Sequence, residues 1–125
     1  MHLVIGGAYQ GKLGFVKNLY GFTDEQVFTC GQAEDIDFSR PCVRHIEEFV
    51  YGSLLRGEDA VKYFLENRAL WEKSVLVCRE VGGGVVPIDP MERAWREAVG
   101  SLCRYLAENA DRVSRIFCGI EQRLK

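Results

Sequence analysis

A short β-branched run, Leu3-Val4-Ile5, stops on Gly6-Gly7, and a helical apolar pattern at Phe15, Val16, Leu19 and Tyr20 follows before Gly21. That order dictates strand, glycine loop, helix. The linking residues, Gly6-Gly7-Ala8-Tyr9-Gln10-Gly11-Lys12, fit G-x-x-x-x-G-K in the context where this spacing has mechanical meaning. Glycines let the backbone curl so that several N–H groups point at one phosphate. The helix N-terminus adds its dipole, and Lys12 can reach the β- and γ-phosphate oxygens of a nucleotide. The bland alternative is a glycine turn with an incidental lysine, and the strand-helix context weighs against it. Gly6, Gly7, Ala8, Tyr9, Gln10, Gly11, Lys12 and Leu13 are therefore the nucleotide-binding candidates, with Lys12 also a catalytic one.

The pattern's final Ser/Thr, whose hydroxyl normally ligates magnesium, is Leu13 here. A leucine side chain can neither coordinate a hard cation nor hydrogen-bond water. Phosphate binding needs no metal, whereas metal-assisted phosphoryl transfer is placed in doubt, and no metal-ligating residue is assigned.

The rest of the sequence sets bounds. Its 125 residues suit a single domain, 1–125, with one core, and 47% hydrophobic with 27% charged residues is an ordinary globular balance. Sixteen basic against 18 acidic side chains leave a formal charge of −2, so no global field recommends nucleic acid or an anionic membrane as partner. The apolar stretches are strand-sized and no leader pattern opens the chain, so we expect a cytoplasmic protein. Five scattered cysteines without a C-x-x-C pair predict free thiols rather than a disulfide framework or zinc ribbon.

Along the chain, residues 22 to 41 carry little periodicity beyond a one-turn helical start at Thr23-Asp24-Glu25-Gln26. Apolar spacing predicts a helix over 42–55, with room for a short strand before it, and a second helical stretch over 58–71. Ser74 to Cys78 reads as a buried parallel strand, because it is short, β-branched and continuous. Asp89-Pro90-Met91-Glu92 offers an N-cap, a proline at the first helical position and a carboxylate three residues after the cap. A long helix from there to about Ala107 and a last strand over 112–118 complete the order, with residues 119 to 125 as a short tail. Strands each followed by a helix predict a three-layer α/β fold with a mostly parallel sheet, and ligands at the strands' C-terminal ends. Arg93, Arg96 and Arg104 on the long helix read as partners of nearby helical carboxylates rather than as site residues.

A second glycine-rich segment, Glu80-Val81-Gly82-Gly83-Gly84-Val85-Val86-Pro87, follows the strand at 74–78. It resembles the N-E-V-G-x-G-[IV]-V-P pattern of the adenosylcobinamide kinase/guanylyltransferase family. The similarity continues through Asp89-Pro90, Gly100, Leu106 to Val113 and Cys118-Gly119-Ile120, and that family's G-G-A-R-S-G-K-S loop maps onto Gly6 to Leu13. The resemblance covers roughly residues 2–20 and 74–125. It implies a RecA-like P-loop NTPase fold, here shortened relative to the family. It also implies ATP or GTP as cofactor, phosphorylation of the cobinamide aminopropanol hydroxyl, and guanylyl transfer through a histidine, all in cobalamin biosynthesis.

The part that is missing falls between the glycine loop and residue 74, where the family carries its histidine motif and an acidic strand end. Neither His2 nor His45 sits in such a motif, and His45 reads as a helix-surface or satisfied histidine with nothing near it in sequence to fix its tautomer. Glu80, at the end of a strand expected beside the loop, is the second catalytic candidate, as proton acceptor or orienter of metal-bound water. Three readings follow: a nucleotide-dependent kinase or transferase, a catalytically degenerate nucleotide or corrinoid sensor, and a homo-oligomeric subunit built on the Gly82–Gly84 loop and the helix from Pro90.

Overall fold

The computed structural model describes residues 1–32, 35–81 and 89–125. Six strands form one sheet in the order β2-β3-β4-β1-β5-β6, with β1 His2–Gly6, β2 Val27–Thr29, β3 Cys42–Arg44, β4 Val75–Arg79, β5 Arg112–Phe117 and β6 Ile120–Arg123. The first five run parallel and β6 closes the edge antiparallel to β5. Strand β1 sits between β4 and β5, pairing Val4 with Val77 on one side and with Ser114 on the other.

Helices cover both faces. Helix α1, Lys12–Tyr20, lays Val16 on one face, among Val4, Cys42, Val77 and Ile116. On the other face α2 Ile46–Leu55, α3 Ala60–Glu66, the single turn α4 Arg68–Trp71 and α5 Pro90–Asn109 bury Phe49, Phe64, Trp71, Leu102 and Leu106 against Leu3, Leu76 and Val113. The expected three-layer α/β architecture is present. Chain leaving β1 returns over one face through α1, and chain leaving β4 returns over the opposite face through α5. A crevice therefore opens between the C-terminal ends of these adjacent strands.

Local chemistry explains most boundaries. Gly11 and Gly21 bracket α1 in left-handed conformation, and the Gly21 N–H caps the Lys17 carbonyl at 2.8 Å. Asp89 caps α5 by accepting the Met91 N–H at 3.0 Å, with Pro90 in the first turn as the sequence predicts. Asp59 does the same for α3. Arg96 pairs with Glu92 one turn away on α5, at 3.4 Å.

Four expectations are corrected. The stretch 42–55 begins as strand β3 and turns helical only at Ile46, after His45. The stretch 58–71 is two helices, divided at Asn67, with Trp71 Nε1 donating to the Phe64 carbonyl across the break at 2.7 Å. Residues 22 to 41 hold an unforeseen strand, β2, after a 3-10 turn at Asp24–Gln26 that has a capping box. The supposed tail is β6, reached through Cys118 and Gly119, both at positive φ, the geometry of a two-residue hairpin turn. All five cysteines are free thiols, with Cys30, Cys42 and Cys78 buried. Among the described residues no helix is long and apolar enough to cross a membrane.

Candidate nucleotide site

The glycine loop leaves β1 at Gly6 and reaches α1 at Lys12, at the end of the sheet where the crevice opens. Gly6 has a steric reason to be glycine, since a Cβ there would lie 2.6 Å from the Ile116 carbonyl oxygen of β5. Tyr9 takes positive φ at the loop's tip and is fully exposed. The loop is braced from β5-β6. Cys118 N–H donates to Gln10 Oε1 at 2.7 Å, and Gly119 N–H donates to the Gln10 carbonyl at 2.8 Å. A hairpin turn distant in sequence thus fixes the loop's curvature.

Lys12 Nζ donates to the Gly7 carbonyl at 2.6 Å, which folds its ammonium back over the loop. Partial burial pushes its pKa below the ordinary lysine value, with Glu47 and Glu80 acting in the opposite sense. Leu13 lines the same cavity as Ala8 to Gly11, so all of the loop candidates except Gly6 and Gly7 face it. That cavity, about 440 Å³, has the size of a small-molecule site.

The rest of its lining was not foreseen. Arg44 at the end of β3, His45 and Glu47 at the start of α2, and Arg79 at the end of β4 line it. His45 precedes α2 in left-handed conformation and its Nδ1 lies 2.9 Å from Glu47 Oε2. Arg44 Nη2, which can only donate, sits 2.6 Å from His45 Nε2, so Nε2 is the acceptor and Nδ1 carries the hydrogen given to Glu47. The expectation that nothing fixes His45's tautomer is therefore corrected: Glu47, two residues on, does so. Glu47 is itself only 1% exposed, and its other oxygen accepts the Arg79 backbone N–H at 2.8 Å. The Glu47 carbonyl accepts Trp95 Nε1 at 2.8 Å, tying α2 to α5.

Glu80 follows β4, its N–H donating to the Gly6 carbonyl at 2.8 Å, so it does lie beside the loop. It borders a second cavity of about 430 Å³, shared with Gly7, Ala8, Arg79 and Trp95, and its carboxylate pairs with Arg115 at 3.0 Å. The Gly82–Gly84 loop lies outside the described residues. His2 is remote from the cavity, at the opposite end of β1. Tyr20 Oη lies 2.7 Å from its Nδ1 and Ser114 Oγ 2.7 Å from its Nε2, and Ser114 donates on to Glu121, which Arg112 pairs at 2.7 Å. Burial lowers the His2 pKa to about 4.

A sheet with this order, crossed by helices on both faces and opening on a glycine loop, is a RecA-like P-loop fold. The family model for cobinamide kinase / cobinamide phosphate guanyltransferase (CobU) matches residues 57–124, more than half of the chain. The chain belongs to this family. No curated protein matches it.

Proposed function

We propose that this protein binds ATP or GTP in the cavity at the C-terminal ends of β1 and β4, and acts on cobinamide in cobalamin biosynthesis, in the cytoplasm. The observation that carries the reading is the position of Lys12: first residue of α1, its Nζ held by a loop carbonyl at 2.6 Å. A phosphate seated on the loop's N–H groups would take over that ammonium at little reorganisation cost. In the kinase step, the aminopropanol hydroxyl oxygen bonds to the γ-phosphorus while the bond to the β,γ-bridging oxygen breaks. The nucleoside diphosphate leaves, and the hydroxyl proton passes to Glu80. Ala8 and Arg79 border both cavities, which favours nucleotide on one side of the loop and acceptor on the other.

Leu13 favours a second reading, a nucleotide or corrinoid sensor that binds without turnover, since it lacks the hydroxyl that positions magnesium. Titration of ATP and GTP followed by a cobinamide-dependent assay separates the two. Phosphorylated cobinamide is the kinase result, and binding without product is the sensor result. Absence of binding by either nucleotide would sink the kinase and the nucleotide sensor alike.

A further inference from the structure

The cavity's charge is unlike that of the whole chain. Lys12, Arg44 and Arg79 line it together, and its one carboxylate among the described residues, Glu47, is spent on His45 and on the Arg79 backbone N–H. Arg40, Arg56, Arg96, Arg112 and Arg115 each pair with a carboxylate. Arg44 and Arg79 have no ion pair among the described residues. Arg44 instead rests on His45 Nε2, and the Arg79 guanidinium stacks on Trp95 with its carbon 5.5 Å from the ring centroid. Both are held in place by neutral contacts and retain guanidinium hydrogens for an anion.

The family's chemistry implies magnesium, and the residues beside Lys12 do not fit it. A hard divalent cation needs oxygen ligands, and Leu13 supplies none. Both Glu47 oxygens are engaged, and Glu80 is paired with Arg115. Among the described residues no group of three or more His, Cys, Asp or Glu could hold a metal ion.

We propose that the cavity binds the nucleotide's polyphosphate in its metal-free form, with Arg44 and Arg79 neutralising the charge that a divalent cation neutralises elsewhere. This rests on the reading of the glycine loop as a nucleotide site. Guanidinium groups match phosphate oxygens in a planar fork, and these two reach the cavity from the ends of β3 and β4, which it shares with the loop and Lys12. Glu47 and His45 act as positioning residues, since the tautomer that Glu47 imposes on His45 turns Nε2 toward Arg44 as acceptor.

The test is calorimetric titration of ATP and GTP into the wild type, Arg44→Gln, Arg79→Gln and the two Arg→Lys variants, once in EDTA and once in excess magnesium chloride. Circular dichroism confirms that each variant is folded. The expected result is wild-type affinity in EDTA at least equal to that in magnesium. Each Arg→Gln change should lower it about tenfold or more, as loss of a charge-assisted contact does, with the lysine variants between. Binding that requires magnesium, or Gln variants of unchanged affinity, would overturn the proposal and leave the nucleotide reading standing. No binding in either buffer would overturn both. If a Gln variant does not fold, its Lys counterpart decides on the same criterion.

Discussion

Residues 57–124 and residues 1–56 divide the labour of this protein unevenly. The first segment carries the family match and about half of the scaffold: α3, α4 and α5, strands β4, β5 and β6, and the wholly buried Phe64, Trp71, Leu102 and Leu106. Yet among the described residues it gives the cavity only Val77 and Arg79. The second segment lies outside the match and supplies the glycine loop, Lys12, Arg44, His45 and Glu47. Family membership is thus recognised in one segment, while the glycine loop and most of the described cavity lining sit in the other. They meet where β1 pairs with β4 and where Glu47 accepts from Arg79 and Trp95. Kinship and site can drift apart in such a chain.

The sharpest way to break this division is to damage the scaffold and look for an effect on the site. Trp71→Ala, which empties a fully buried position and strands the Phe64 carbonyl, should cost about 3–5 kcal/mol of stability in denaturant titration. Nucleotide affinity measured well below the unfolding midpoint should stay unchanged. A large loss of affinity in that folded protein would show that the two halves are not separable.

Gly6→Ala strikes the seam. Its Cβ would meet the Ile116 carbonyl at 2.6 Å, and the strands must separate to admit it, so a loss of about 1–3 kcal/mol is expected by the same titration. Gly14→Ala is the contrasting change, inside α1 with nothing within 4 Å of the added methyl. It should stabilise by about 0.5–1 kcal/mol. Similar effects for the two glycines would mean that the close approach of backbone at Gly6 is not what separates them.

The smallest effect concerns the far end of β1. His2 is buried with a pKa near 4, against an ordinary value of 6.5. Between these values the unfolded chain binds a proton that the folded chain refuses, so stability falls as pH drops from about 6.5 to 4, and this contribution is complete above 6.5. His2→Gln should flatten the decline in Tm over that interval relative to wild type. Parallel profiles would assign the decline to carboxylates such as Glu121, whose pKa the Ser114 hydrogen bond lowers.

What could be read from the sequence was what is contiguous. The glycine loop, Lys12, the buried strand at 74–78 and the cap of α5 are local patterns, and each stands within a residue or two of its expected place. Strand β2 spans three residues, too few to show a period, and β6 alternates no apolar side chains because it is a polar edge. Only the Cys118-Gly119 turn hinted at it. Asn67 gave no proline or glycine signal for the break between α3 and α4. The cavity wall was hidden for a different reason: Arg44 and Arg79 come together through the pairing of β3 with β4, and that pairing was invisible while β3 was read into a helix. Glu47 beside Glu48 looks like a solvated helix face, and only the tertiary contacts show that it is buried.

The central claim is that the loop from Gly6 to Leu13 holds a nucleotide through Lys12, and the most direct measurement is calorimetric titration of ATP and GTP into wild type and Lys12→Ala. The account predicts saturable binding by the wild type and a loss of about ten- to a hundredfold in the variant, as removal of a charge-assisted phosphate contact requires. Equal affinity in both proteins, or none in either, would contradict it.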